Sequence, residues 1–313
     1  MAPGGGHHRA PGPGCREPAR RYRQGEFAVN ELVHARGLVK RYGRKRALDG
    51  FDLSIGEGRI VGLIGPNGAG KTTALKALLG LTAYEGELQV LGLDPVRQRK
   101  QLMQDVCFIA DVAVLPRWLR VNQALDYVAT VHPRFRRERA EAFLATTEIP
   151  ARARVKTLSK GMITQLHLAL IMAIDARLLV LDEPTLGLDI LFRKAFYTTL
   201  LNDYFDDHRT ILVTTHQVEE IEYILTDVVF IDHGRAVLAE AMDTLGERYR
   251  QLIPRREHLE AARALGPLSE ETSFGRHALI FEDVPQERLA PLGELRTPSI
   301  SDLFVAKVGG ARK

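Results

Sequence analysis

The chain has 313 residues, 45% hydrophobic and 26% charged, with a net charge of +4. That balance excludes a wholly disordered chain and suits one large domain with an appendage. Two cysteines supply no disulfide framework, and no apolar run reaches the roughly 18 residues of a membrane span.

Residues 1–28 read as a disordered, basic, Gly/Pro-rich tail, since ten of the first 25 residues are Gly or Pro. His7-His8 in this tail predicts no specific metal site. The excess charge sits in the same stretch. Arg9, Arg16, Arg20, Arg21 and Arg23 oppose only Glu17, and the rest of the chain is neutral. A basic tail on a neutral body argues against a nucleic-acid face, so no nucleic-acid partner is expected. The tail lacks the apolar core of a secretory signal. Cys15 and Cys107 fit a reducing cytosol.

Residues 29–58 read as strands flanking Tyr42, with turns at Gly50 and at Gly56-Glu57-Gly58. Arg59 to Ile64 reads as a short buried strand. It runs into Gly65-Pro66-Asn67-Gly68-Ala69-Gly70-Lys71-Thr72-Thr73, which fits the phosphate-loop spacing. Thr72 to Leu79 predicts a helix stopped at Gly80. Strand, glycine loop and helix aim backbone N–H groups and a helix dipole at one anion. Lys71 would reach the β- and γ-phosphates of a nucleotide, and Thr72 would ligate Mg²⁺.

Residues 115–176 read as mostly helical. Val121, Ala124, Leu125 and Val128 share a helical face that ends at His132-Pro133, and Arg136 to Thr147 reads as a charged helix. In Leu158-Ser159-Lys160-Gly161-Met162, Ser159 and Gly161 open a helix. There they form either an anion site or an ordinary Ser cap. Leu178-Leu179-Val180-Leu181-Asp182-Glu183-Pro184 predicts a central parallel strand ending in two carboxylates. Asp182 would hold the Mg²⁺ shell and Glu183 would polarise the attacking water. Thr210 to Thr215 predicts a strand delivering His216, and a hairpin follows at His233-Gly234. Residues 241–313 read as a small α+β appendage. Its last helix, Ser299 through Val308, carries an apolar stripe of Ile300, Leu303, Phe304 and Val308, with Ser299 and Asp302 as a capping box.

At Leu158-Ser159-Lys160-Gly161-Met162 the chain resembles the ATP-binding subunits of ABC transporters, whose signature is Leu-Ser-Gly-Gly-Gln. Lys160 and Met162 depart from it. The order of phosphate loop, signature, acidic pair and histidine strand carries the resemblance over residues 30–240. It implies an α/β P-loop NTPase fold with an antiparallel β subdomain and a helical signature subdomain at about 115–176. Within residues 29–240 it also assigns roles. Tyr42 would stack on adenine, and Ser159 and Gly161 would touch the γ-phosphate held by a second copy. Asp189, in Thr185-Leu186-Gly187-Leu188-Asp189, would communicate across the dimer, and His216 would contact the γ-phosphate.

Asp111 would stand where the family has a Gln that contacts the metal. The cofactors implied are ATP and Mg²⁺. The partners implied are a membrane permease and a second copy in an ATP sandwich. The location implied is cytoplasmic, on the inner face of the membrane. The apolar run Val112 to Leu119, with the only Trp of the chain, would help to dock a permease helix. Ile300 to Phe304 resembles the C-terminal helix of subunits serving exporters. The alternative is a soluble ABC-type ATPase acting on nucleic acid or ribosomes. Such proteins usually carry two phosphate loops or a long coiled coil, and this chain has one loop and a compact insert.

Overall fold

A computed structural model of the chain describes residues 31–109, 115–186, 190–273 and 275–309. The N-terminal tail, Asp111 and Asp189 lie outside the described residues.

The chain opens with a long hairpin, β1 (Glu31–Tyr42) and β2 (Lys45–Gly56), followed by β3 (Ile60–Ile64), α1 (Lys71–Leu78) and β4 (Glu85–Val90). A short helix α2 (Arg99–Leu102) leads to β5 (Val106–Ile109). The helical insert comprises α3 (Val121–Val131), α4 (Arg137–Ala145) and α5 (Lys160–Met172). Then come β6 (Leu178–Asp182), α6 (Ile190–Thr199), β7 (Thr210–Thr215), β8 (Asp227–Asp232) and β9 (Arg235–Ala241). The C-terminal part holds α7 (Met242–Arg248), β10 (Tyr249–Pro254), α8 (Leu259–Arg263), β11 (Ser269–Ser273) and β12 (Arg276–Glu282). It ends with α9 (Gln286–Leu289), β13 (Gly293–Arg296) and α10 (Ile300–Gly309).

The central sheet has the order β5-β6-β7-β3-β8-β9, parallel except for β9. Every residue of β3, β6 and β7 is buried, as strands covered on both faces require. Because these three are neighbours and parallel, their carboxyl ends lie side by side on one edge. Open α/β sheets bind ligands at that edge. Cys107, on β5, is buried, and burial pushes its thiol pKa up to about 12, so it is inert.

A second sheet, β2-β1-β4, is antiparallel and packs its apolar face over α1. Gly50 is not a turn. It lies within β2 as the extra residue of a bulge between the Leu38–Phe51 and Val39–Asp49 pairs, so the strand bends and continues. The stop of α1 at Gly80 is as expected. Gly80 has φ 63°, its N–H donates to the Ala77 carbonyl (2.9 Å), and the Leu81 N–H donates to the Lys76 carbonyl (2.8 Å). These are the paired bonds that close a helix C-terminus.

The helical insert has its own core, in which Ala124, Leu125, Leu144, Leu166 and Leu170 meet. The C-terminal sheet, β11-β12-β10-β13, packs Leu252, Leu279, Phe281 and Leu289 into a small separate core.

The last helix behaves differently. Ile300, Leu303 and Ala306 of α10 join the main core beside Ile221, Ile224 and Phe230. The Phe304 ring stands edge-on to Phe230, with centroids 5.2 Å apart. Half of the expected capping box forms. The Asp302 N–H donates to Ser299 Oγ (3.1 Å), while the Asp302 carboxylate accepts from Gln251. The first turn is instead anchored to the turns that follow β7. The Ile300 N–H donates to Glu222 Oε1 (3.2 Å), and the Ser301 hydroxyl donates to Glu219. Leu303→Ala is expected to destabilise the whole ATPase core, not the appendage alone, by about 2–5 kcal/mol. Urea denaturation followed separately through main-core and C-terminal probes checks this. Loss confined to the C-terminal sheet would contradict the packing.

Candidate nucleotide site

At the carboxyl edge of the central sheet lies a cleft of about 310 Å³, walled by Tyr42, Lys45, Ala47, the glycine loop and the acidic pair. The loop leaves β3 at Gly65 and enters α1 at Lys71. Gly70 holds the turn. Its φ is 118°, and a Cβ there would stand 2.5 Å from the Ala47 carbonyl oxygen. Only glycine allows the loop to lie this close to the β2 backbone. Pro66, Asn67, Gly68, Gly70, Lys71, Thr72 and Thr73 face the cleft, while Ala69 is buried behind it.

Lys71 is 7% exposed, an unusual place for an ammonium group. Its Nζ donates to the Gly65 carbonyl (2.6 Å) and lies 3.7 Å from Glu183 Oε1. Burial lowers its pKa, and the nearby Glu183 and Asp182 carboxylates oppose that shift.

Asp182, the last residue of β6, is 4% exposed and accepts a 2.6 Å bond from the Thr214 hydroxyl. Glu183 follows with φ 49°, a left-handed backbone uncommon for a non-glycine residue. Its N–H is held by the Thr214 carbonyl (3.1 Å) and the Thr214 hydroxyl (3.2 Å). The turn aims the carboxylate back at the loop, where Glu183 Oε2 also meets His216 Nδ1 at 2.8 Å. Lys71, Glu183 and His216 thus form one polar chain across three neighbouring strand ends.

The structure therefore brings together Tyr42, the loop residues, Asp182, Glu183 and His216. It does not bring Ser159 or Gly161 to this cleft. Ser159 caps α5, its Oγ accepting the Met162 N–H at 3.2 Å, on an exposed corner of the helical insert. Asp111 and Asp189 lie outside the described residues. Sequence reasoning missed two residues here. Thr214 holds the Asp182 carboxylate with its hydroxyl and the Glu183 N–H with its hydroxyl and carbonyl, and the Thr214-Thr215 pair closing the strand just before His216 was the available signal. Lys45 reaches the cleft from the basic run Lys40 to Arg46.

Comparison with known proteins decides the family. The family model described as "ABC transporter" matches residues 48–186. The daunorubicin resistance ATP-binding protein DrrA2 of Streptomyces coeruleorubidus is 34% identical over 308 residues, covering 88% of this chain and 95% of that protein. The chain belongs to the ABC transporter ATP-binding family. It is the ATP-hydrolysing subunit of a transporter.

Other relatives within the ABC family extend the picture. The Nod factor export ATP-binding protein I of Ralstonia nicotianae is 34% identical over 222 residues, 66% of this chain and 66% of its own length. The ABC transporter ATP-binding protein YtrB of Bacillus subtilis is 25% identical over 293 residues, 90% of this chain and all of its own length. A solved structure described as the ATP binding subunit of an ABC transporter superposes with TM-score 0.63. It is 23% identical, over 69% of this chain and 92% of that one, and it shares the fold.

Proposed function

We propose that the chain powers export through a separate membrane permease, hydrolysing ATP in a sandwich between two copies. The observation that carries the chemistry is the Lys71–Glu183–His216 chain across the cleft floor. The cleft fits a nucleotide. Gly70 gives close backbone approach, Lys71 supplies a buried cation, and Tyr42 is a half-exposed aromatic plane at the mouth. The donor set of a Thr72 hydroxyl and the Asp182 carboxylate suits Mg²⁺, which takes few protein ligands. When bound, the metal would neutralise charge developing on the phosphates.

In this reading Tyr42 stacks on adenine, and Gly65 through Thr73 cradle the phosphates. Lys71 exchanges its Gly65 carbonyl for phosphate oxygen. Water attacks the γ-phosphorus, the β–γ bridging bond breaks, and Glu183 accepts the water's proton. His216 fixes the Glu183 carboxylate and reaches toward the γ-phosphate. Ser159 and Gly161 of a second copy close the sandwich, because the exposed corner that carries them lies away from their own cleft. The exposure of Ile190, 77%, directly after the Asp189 loop supports an apolar contact there.

Export is supported by the names of the relatives, and the permease by the family. Among the described residues no helix is long and apolar enough to cross a membrane. We place the subunit at the cytoplasmic face, with residues 29–240 as the ATP-binding domain and 241–313 as an accessory part whose last helix returns to the main core. Asp111, in place of the family's Gln, is assigned to the metal through its carboxylate.

Trp118 supports the docking surface. It is 71% exposed, whereas Leu115 beside it packs against the insert core. An exposed indole beside a packed turn is a ready anchor for a partner helix. Trp118→Ala is expected to release the permease while ATP binding is unchanged. Co-purification with a co-expressed candidate permease tests it. Retention of the permease by a folded, ATP-binding variant would place the docking surface elsewhere.

A further inference from the structure

We propose that Lys45 is a second cation for the polyphosphate, acting with Lys71 and capturing the anion at the mouth of the cleft. This rests on the cleft being the ATP site. Three observations carry it.

The first is placement. Tyr42 and Lys45 are directly paired where β1 turns into β2, and residues paired across an antiparallel ladder project to the same side. Both line the cleft. Lys45 Nζ lies 3.9 Å from where a Cβ on Gly68 would stand, so its ammonium sits over the open bend of the glycine loop. The absence of a side chain at Gly68 leaves that approach clear.

The second is charge. The ionised groups lining the cleft are Lys71 and Lys45 against Asp182 and Glu183. Lys71 is already engaged by the Gly65 carbonyl and lies near Glu183. Without Lys45 the acidic pair outweighs the one buried cation, and a nucleotide polyanion would approach a negative floor. Lys45 balances the cleft before the nucleotide arrives.

The third is the division of labour among the neighbouring cations. Arg46 bonds Asp49 at 2.6 Å, and Asp49 also accepts from Arg235 at 2.6 Å. Lys40 lies over the Tyr42 ring, 5.2 Å from its centroid. Of the cations on this hairpin tip, Lys45 is the one that lines the cleft. Its exposure suits a capturing role, in which attraction acts before contact and weakens with salt.

The test is calorimetric binding of ATP, ADP and adenosine to the full chain, with adenosine read by competition. Lys45→Ala is expected to weaken ATP and ADP about 5- to 10-fold, the range of one partly solvated charge-assisted contact. Adenosine affinity should hold, the loss should shrink as salt is raised, and Lys45→Arg should restore binding. Wild-type ATP affinity in Lys45→Ala would overturn the proposal. So would an equal loss for adenosine, which would mean that Lys45 only supports the Tyr42 platform. Lys71→Ala runs beside these variants. If it too binds ATP like wild type, the reading of the cleft has failed, and not the assignment of Lys45 within it.

Discussion

Glu183→Gln lowers ATP turnover by about 10²–10⁴-fold and leaves ATP affinity nearly unchanged. The amide matches the carboxylate in shape, so the left-handed turn and the contact with His216 are preserved. An amide cannot accept the water's proton, and that step alone is removed. Because closure no longer leads to hydrolysis, ATP-bound dimers accumulate and are seen by size-exclusion chromatography. Turnover equal to wild type would remove Glu183 from the role of base. Glu183→Ala is less informative, since it also leaves His216 and Lys71 without their shared partner.

Lys71→Ala lowers ATP affinity by about 100-fold or more, the sum of roughly two charge-assisted contacts of 1.5–3 kcal/mol each. Lys71→Arg does not rescue it. The position is nearly closed to solvent, and the planar guanidinium needs a width that a single buried ammonium does not. Titration with a fluorescent ATP analogue measures both variants, and circular dichroism confirms that they fold. Affinity within twofold of wild type in Lys71→Ala would mean that the nucleotide binds elsewhere.

The glycine loop, the acidic pair and His216 were legible in the sequence because their chemistry fixes residue type and spacing together. A phosphate cradle needs glycines and a lysine, and a parallel strand needs an unbroken apolar run. The helical insert was legible through the spacing of Val121, Ala124, Leu125 and Val128. The left-handed backbone of Glu183 was not. Nothing in Leu181-Asp182-Glu183-Pro184 announces a positive φ, which is imposed by the grip of Thr214 from the neighbouring strand. The destination of α10 was equally hidden. Its stripe of Ile300, Leu303 and Phe304 was plain, but a stripe shows that a face will be buried and not what will cover it. Lys45 was passed over because five cations in seven residues look alike until a fold turns one of them toward the cleft. Gly50 misled for the opposite reason, since a glycine between strand-like segments marks a bulge as readily as a turn.

The docking of α10 onto the main core has a consequence for the order in which the protein is made. Phe230, Ile221 and Ile224 leave the ribosome well before the helix that covers them. About 80 residues separate the end of β8 from the end of α10. At roughly 5–20 residues per second, the apolar surface waits on the order of 4–16 s for its lid. The interval is long compared with hydrophobic collapse, so the nascent sheet exists for a time as a sticky, nearly finished ATPase. Chaperone capture of the nascent chain should therefore concentrate in that window, and synonymous codon changes that slow translation between β8 and α10 should lengthen it.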